Sequence, residues 1–172
     1  MRSAIPKVLA FVMAVCIPFT AVAQGSGDEA AINGVIDQVF ELEIDRDLTA
    51  QAELMASDRI WVSQGEGRKT DQTMNMRYQQ AVLDLRAETL PGTQWFYEAR
   101  DRIIRFYGDG NVAVASFYLY VSFVLPANAP DDVVQNSTQF QPFVLSWVFE
   151  KQRGDWKVVH THISDLGIPV GQ

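Results

Sequence analysis

The hydrophobic period of this chain changes once, at Pro91-Gly92, and that change sets the class of fold. Before it, apolar residues recur three and four apart; after it, they alternate. A helical stripe and an alternating strand each bury one face, so the two halves have to cover one another. Upstream, Ile32, Val35, Ile36, Val39 and Phe40 form one stripe on a helix that a Ser26-Gly27-Asp28-Glu29 capping box would start. Glu41, Glu43, Asp45, Arg46 and Asp47 follow and read as a solvated face. A second short helix is expected from Leu48 to Met55, ended by Ser57-Asp58, then a strand at Ile60-Trp61-Val62 and a loop through Gly65 and Gly67. Thr70 or Asp71 caps a third helix, with Met74, Tyr78, Ala81, Val82 and Leu85 on its buried side.

Downstream, Trp95 to Tyr107 reads as a long strand, 108–111 as its turn and Val112 to Leu125 as the return strand. After a Pro- and Asp-rich connection that includes a formal glycosylation acceptor, Asn136-Ser137-Thr138, a strand from Phe140 to Lys151 is expected. It turns at Arg153-Gly154-Asp155 into the last one. Strict alternation there would put Trp156, Val158, His160, His162 and Ser164 on one face, and Lys157, Val159, Thr161 and Ile163 on the other. On the Trp95 to Tyr107 strand, the same rule puts Glu98, Arg100 and Arg102 together as a cross-strand ionic surface, opposite Asp101 and Arg105.

The last strand also carries a spacing of Trp, three residues, His, one residue, His, at Trp156, His160 and His162. This resembles the closing strands of SnoaL-like proteins in the NTF2-like, cystatin-like cone superfamily, in particular the subgroup of the calmodulin-dependent kinase II association domain. The resemblance extends over residues 28 to 166. It implies an α+β fold: an NTF2-like cone in which three N-terminal helices pack on a curved, mainly antiparallel sheet, leaving a pocket open at one end.

At the N-terminus, Arg2 and Lys7 precede an apolar run from Val8 to Cys16, and Ala21-Val22-Ala23 forms a small-x-small site before Gln24. That order is the order of a secretory signal peptide, which predicts a leader at 1–23 and one domain at 24–172. Pro18 interrupts the run before the roughly 20 apolar residues that a membrane span requires. The expected location is periplasmic or secreted, free of the membrane once cleaved. Cys16 is the only cysteine, so the processed chain has neither disulfides nor thiolate chemistry. The formal charge of −7 becomes −9 when Arg2 and Lys7 leave, and so acidic a chain repels phosphate backbones; no nucleic-acid partner is expected.

In enzymes of the resembled family, the pocket carries its chemistry on the first helix, the first strand and the last long strands. The tyrosine and two aspartates of the ketosteroid isomerases fall here near Val39, Ser63 and Leu145, none of which is a general base. The pocket arginines of the association domain correspond to Tyr118, Trp147 and Ile163. The resemblance therefore implies an aromatic-walled pocket lined by Tyr118, Phe143, Leu145, Trp147, Val159 and Ile163, suited to a small apolar or ring-containing ligand. His160 and His162 sit about 6.6 Å apart by strand geometry. A structural role at a sheet face or subunit contact is the leading reading for them, with acid–base catalysis and metal ligation as alternatives. A metal would need a third ligand from a carboxylate, so neither metal nor cofactor is expected. The functional expectation is an exported, homodimeric ligand-binding protein; the alternatives are a cofactor-independent acid–base enzyme (isomerase, cyclase, dehydratase or hydrolase) and an oligomerisation module.

Overall fold

The computed structural model describes residues 20–63, 67–131 and 142–166, with the side chains of 20–25 set aside. The predicted leader lies outside these residues except for its last four, which form part of the first helix; the Asn136-Ser137-Thr138 acceptor lies wholly outside them. Helices α1 (Thr20–Ile44) and α2 (Leu48–Glu53) are followed by strands β1 (Met55–Ser63) and β2 (Gly67–Lys69), helix α3 (Gln72–Thr89), and strands β3 (Gln94–Tyr107), β4 (Val112–Val124), β5 (Phe143–Gln152) and β6 (Asp155–Asp165). The six strands make one unclosed sheet in the order β2-β1-β6-β5-β4-β3, parallel only between β1 and β6. This is the α+β cone expected. Among the described residues no helix is long and apolar enough to cross a membrane.

The α1 stripe is buried as its period requires: Ile32 and Ile36 are fully enclosed, Val39 and Phe40 nearly so. They pack on the inner sheet face, where Ala113 and Ala115 of β4 leave room for Trp147 and Phe149 of β5. Three expectations about ends and faces change. Helix α1 begins at Thr20, so Ser26 to Glu29 lie inside it and do not cap it. Asp28 instead accepts hydrogen bonds from Lys151 Nζ (2.6 Å) and Trp156 Nε1 (3.1 Å), tying the helix to the closing hairpin. Residues 55–59 are strand and not the end of α2, because Met55 pairs with Val158 of β6; Gly67 belongs to a short strand, β2, paired to β1. Helix α3 is capped by Asp71, whose Oδ1 accepts from the Met74 N–H at 2.8 Å; Tyr78 and Val82 turn inward as expected, but beside Asn75, Gln79, Leu83 and Arg86, while Met74, Ala81 and Leu85 are exposed.

Two single-residue register shifts decide the faces of the sheet. The pairing of β5 with β6 slips between Val148 and Phe149, which face His160 and Val158 and leave Val159 without a partner. Trp156 and Val158 consequently share the inner face with Thr161 and Ile163, while His160 and His162 turn outward. In β3 the slip falls between Arg100 and Ile103, with Asp101 at φ 53°. Glu98 and Arg100 stay outside, paired at 2.5 Å. Arg102 crosses to the inner face, where its guanidinium pairs with Asp37 and meets Asn33 Oδ1 at 3.2 Å, both on α1. The expected one-face alignments of these two strands are corrected accordingly.

Candidate functional site

A cavity of about 210 Å³ lies between α1, α3 and the inner face of the sheet. Its floor is made by the end of α1, where Glu43 continues the apolar stripe: it follows Val39 by four residues and Phe40 by three, and so points inward with them. Its side chain keeps 19% of its surface. The carboxylate accepts hydrogen bonds from the Tyr97 hydroxyl and from Gln51, whose Nε2 also reaches the Val39 carbonyl at 2.9 Å. Arg86 of α3 donates to the Tyr97 oxygen at 2.6 Å and stands 4.0 Å from Glu43. Arginine, tyrosine and carboxylate thus form one connected chain.

Burial pushes the Glu43 carboxyl above its ordinary range and outweighs the opposing pull of Arg86, the two hydrogen bonds and Arg59. Its place in the last turn of α1, at the negative end of the helix dipole, acts in the same direction. Tyr97 is also pushed up, by burial first and then by the Glu43 charge, so its hydroxyl keeps its proton. Burial brings Arg59 down to about 10, still charged at neutral pH.

Opposite this floor, the wall is built from β1, β6 and β5. Trp61, Thr161 and Trp147 are register partners across the three strands and stand in a row on the inner face. Arg59 precedes Trp61 by two residues and lies on the same side, its guanidinium carbon 5.8 Å from the indole centroid. The aromatic lining is fixed by packing. Trp147 meets Phe117 at 5.3 Å and Phe40 at 5.7 Å between ring centroids, and Trp61 meets Tyr78 edge-on at 5.4 Å.

Of the residues singled out from the sequence, Phe143, Leu145, Trp147 and Ile163 line this cavity, and so do Val39 and Ser63. Tyr118 does not: it alternates with Phe117 and Leu119 and stands 37% exposed on the outer face, between Arg100 and Val144. Nor does Val159, which occupies the β6 bulge. His160 and His162 lie on the outer face, away from the cavity; burial, with His162 beside it, moves His160 below its ordinary range. No group of three or more His, Cys, Asp or Glu able to hold a metal occurs among the described residues.

The charged lining (Glu43, Arg59, Arg86) and Tyr97 escaped the sequence reading. For Glu43 the signal existed in its register with the stripe. For the arginines there was none, because β1 is longer than its apolar core and α3 turns a polar face inward.

A second cavity, about 540 Å³, opens on the other side of the same chain of groups. It shares Glu43, Arg86, Tyr97 and Leu83 with the first and is otherwise bounded by the 90–96 segment and the end of α1. The indole of Trp95 covers Arg86 there, 4.5 Å from the guanidinium carbon.

A family model described as the SnoaL-like domain matches residues 32–170. No curated protein matches the chain. Among solved structures, an NTF2-like protein with a cystatin-like fold from Novosphingobium aromaticivorans superposes with a TM-score of 0.66 at 15% identity, over 87% of this chain and 89% of that one. ActVI-ORFA from Streptomyces coelicolor gives 0.66 at 13% identity, over 81% and 98%. The hexachlorocyclohexane dehydrochlorinase LinA-type3 from Novosphingobium barchaimii gives 0.66 at 14% identity, over 85% and 91%. At these identities the likeness is one of fold.

Proposed function

Because the chain belongs to the SnoaL-like family, we propose that it is an exported homodimer whose cone holds a small ring-bearing molecule and moves a proton on it without a cofactor, Glu43 being the group that carries the proton. The observation that carries this reading is a carboxyl group in the floor of the cavity whose ionisation burial opposes. A carboxyl raised toward neutrality is both an adequate acid and an adequate base near physiological pH, which an ordinary surface glutamate is not. Tyr97, protonated and hydrogen-bonded to it, fixes its orientation, and Arg86 offsets the negative charge when the proton leaves. The aromatic walls suit a ring. The name of one neighbour of the same fold is that of an enzyme acting on a chlorinated six-membered ring, which accords with a substrate of that size.

The test is solvent exchange. Deuterium uptake next to the carbonyl of cyclohexanone and of 4-oxocyclohexanecarboxylate, followed by proton NMR in D2O, should be accelerated by the protein. Glu43→Gln should lose the acceleration by roughly 10²- to 10⁴-fold. Equal rates with the wild type and Glu43→Gln would refute proton transfer and leave a protein that binds its ligand without turning it over.

A further inference from the structure

The cavity wall facing Glu43 has more hydrogen-bond donors than the protein uses. Arg59 Nε, Trp61 Nε1, Trp147 Nε1 and Thr161 Oγ1 have no hydrogen-bond partner among the described residues, although all four residues are nine-tenths buried or more. The two tryptophans and Arg59 only donate at these atoms, and the threonine hydroxyl donates or accepts. An orphaned buried donor costs about 1 to 3 kcal/mol, and more when it is charged. Four on one strip of wall therefore mark a place that something else completes. Their arrangement is ordered, since Trp61, Thr161 and Trp147 are cross-strand partners on three adjacent strands spaced about 4.8 Å apart. Arg59 stands at the β1 end of that row.

Charge points the same way. The lining holds two arginines and one carboxylate. Arg86 is engaged with Glu43 and Tyr97, so among the described residues Arg59 has no carboxylate within ion-pair distance and feels only the longer-range charge of Glu43. A neutral ligand would leave that buried charge without a close partner and a cationic one would oppose it, whereas one negative charge with two acceptor oxygens matches both the charge and the donor row. The volume is also limiting: a cavity of roughly 150 Å³ accommodates benzene, so about 210 Å³ leaves room for one ring and a small substituent.

We infer that the cavity is a site for a ring-bearing monocarboxylate, its carboxylate held by Arg59 and the Trp61–Thr161–Trp147 row and its ring turned toward Glu43. This rests on the small-molecule reading of the same cavity but not on the proton transfer.

Calorimetric titration of the full chain with benzoate, benzyl alcohol and benzylamine at neutral pH tests it. Benzoate should bind at least ten-fold more tightly than benzyl alcohol, and benzylamine should not bind. Arg59→Gln should reduce benzoate to the level of benzyl alcohol while leaving benzyl alcohol itself unchanged. Where Arg59→Gln does not fold, Trp147→Phe and Thr161→Val serve instead: each removes one donor and little volume, and each should weaken benzoate about ten-fold. Benzyl alcohol binding as well as benzoate, no binding of any of the three, or benzoate indifferent to these substitutions would each overturn the assignment. Exchange by the wild-type protein separates it from proton transfer. Benzoate bound with its preference intact while neither ketone exchanges keeps the carboxylate site and removes the catalysis; exchange of cyclohexanone without any preference for benzoate does the reverse.

Discussion

Glu43 differs from its acidic neighbours by register alone. Glu41 and Asp45 fall off the stripe and are exposed, whereas Glu43 sits on it and is carried inward by the packing of Val39 and Phe40. Its stability cost follows from linkage. With the folded value above the ordinary 4.5, the unfolded chain releases this proton first as pH rises, so the folded state's advantage is complete below about 4.5 and declines as pH climbs through the folded value. Gln51, Tyr97, Arg86 and Arg59 all face the group and limit the decline without reversing it. Glu43→Gln has no proton to lose. Its melting temperature relative to wild type should therefore rise between pH 4 and pH 8, and a difference that stayed flat or fell would show that the carboxyl ionises as readily inside as out. Asp28 supplies the opposite sign. The Lys151 hydrogen bond leads in holding it below 3.8, so its contribution is present above that value and disappears as pH falls through the folded one.

Strand-level alternation was readable wherever the strand was regular and failed at the two bulges. The turn at Arg153-Gly154, with both residues at positive φ, and the 108–111 turn set hairpins whose ends the sequence placed within a few residues. One extra residue in β6 and one in β3 leave no mark on composition, yet each reverses every side chain beyond it. That is why Tyr118, on regular β4, was misplaced only by the family correspondence, whereas Trp156, Val158, Val159 and Arg102 were misplaced by the alternation itself. The cavity was half legible for the same reason. Phe143, Leu145 and Trp147 share a face by local period and Ile163 was reached through the family correspondence, whereas Arg59, Arg86 and Tyr97 meet only once α1, α3 and the sheet are packed. Asp101→Gly relieves a left-handed backbone and should leave stability unchanged or raise it by up to about 1 kcal/mol. Deleting Asp101 leaves Arg102 as the single residue between the Arg100–Tyr118 and Ile103–Ser116 pairs and keeps Ile104 inward and Arg105 outward, so it should cost no more than about 1 kcal/mol in denaturant titration.

Among the described residues, helices α1, α2 and α3 lie on one side of the sheet and the other side is left open. Ile60, His160, Val148 and Val114 form one cross-strand row there, followed by Val62, His162, Ser146 and Ser116. For the proposed homodimer this is the face to be covered. Sedimentation at micromolar concentration should give twice the chain mass, and Val148→Arg should give a folded monomer; a wild type that sediments as a monomer would end the argument. His160→Gln and His162→Gln should then lower the melting temperature or disturb assembly without changing the affinity for benzoate. The larger cavity behind Glu43 has a consequence of a different kind, for isotopic bookkeeping. Glu43, Tyr97 and Arg86 border both cavities, so a proton resting on the carboxyl has a route to bulk water that does not pass the bound ring. A hydrogen label taken from one carbon of the substrate would be diluted by solvent during a single residence, and an isomerised product would return carrying mostly the hydrogen of the medium.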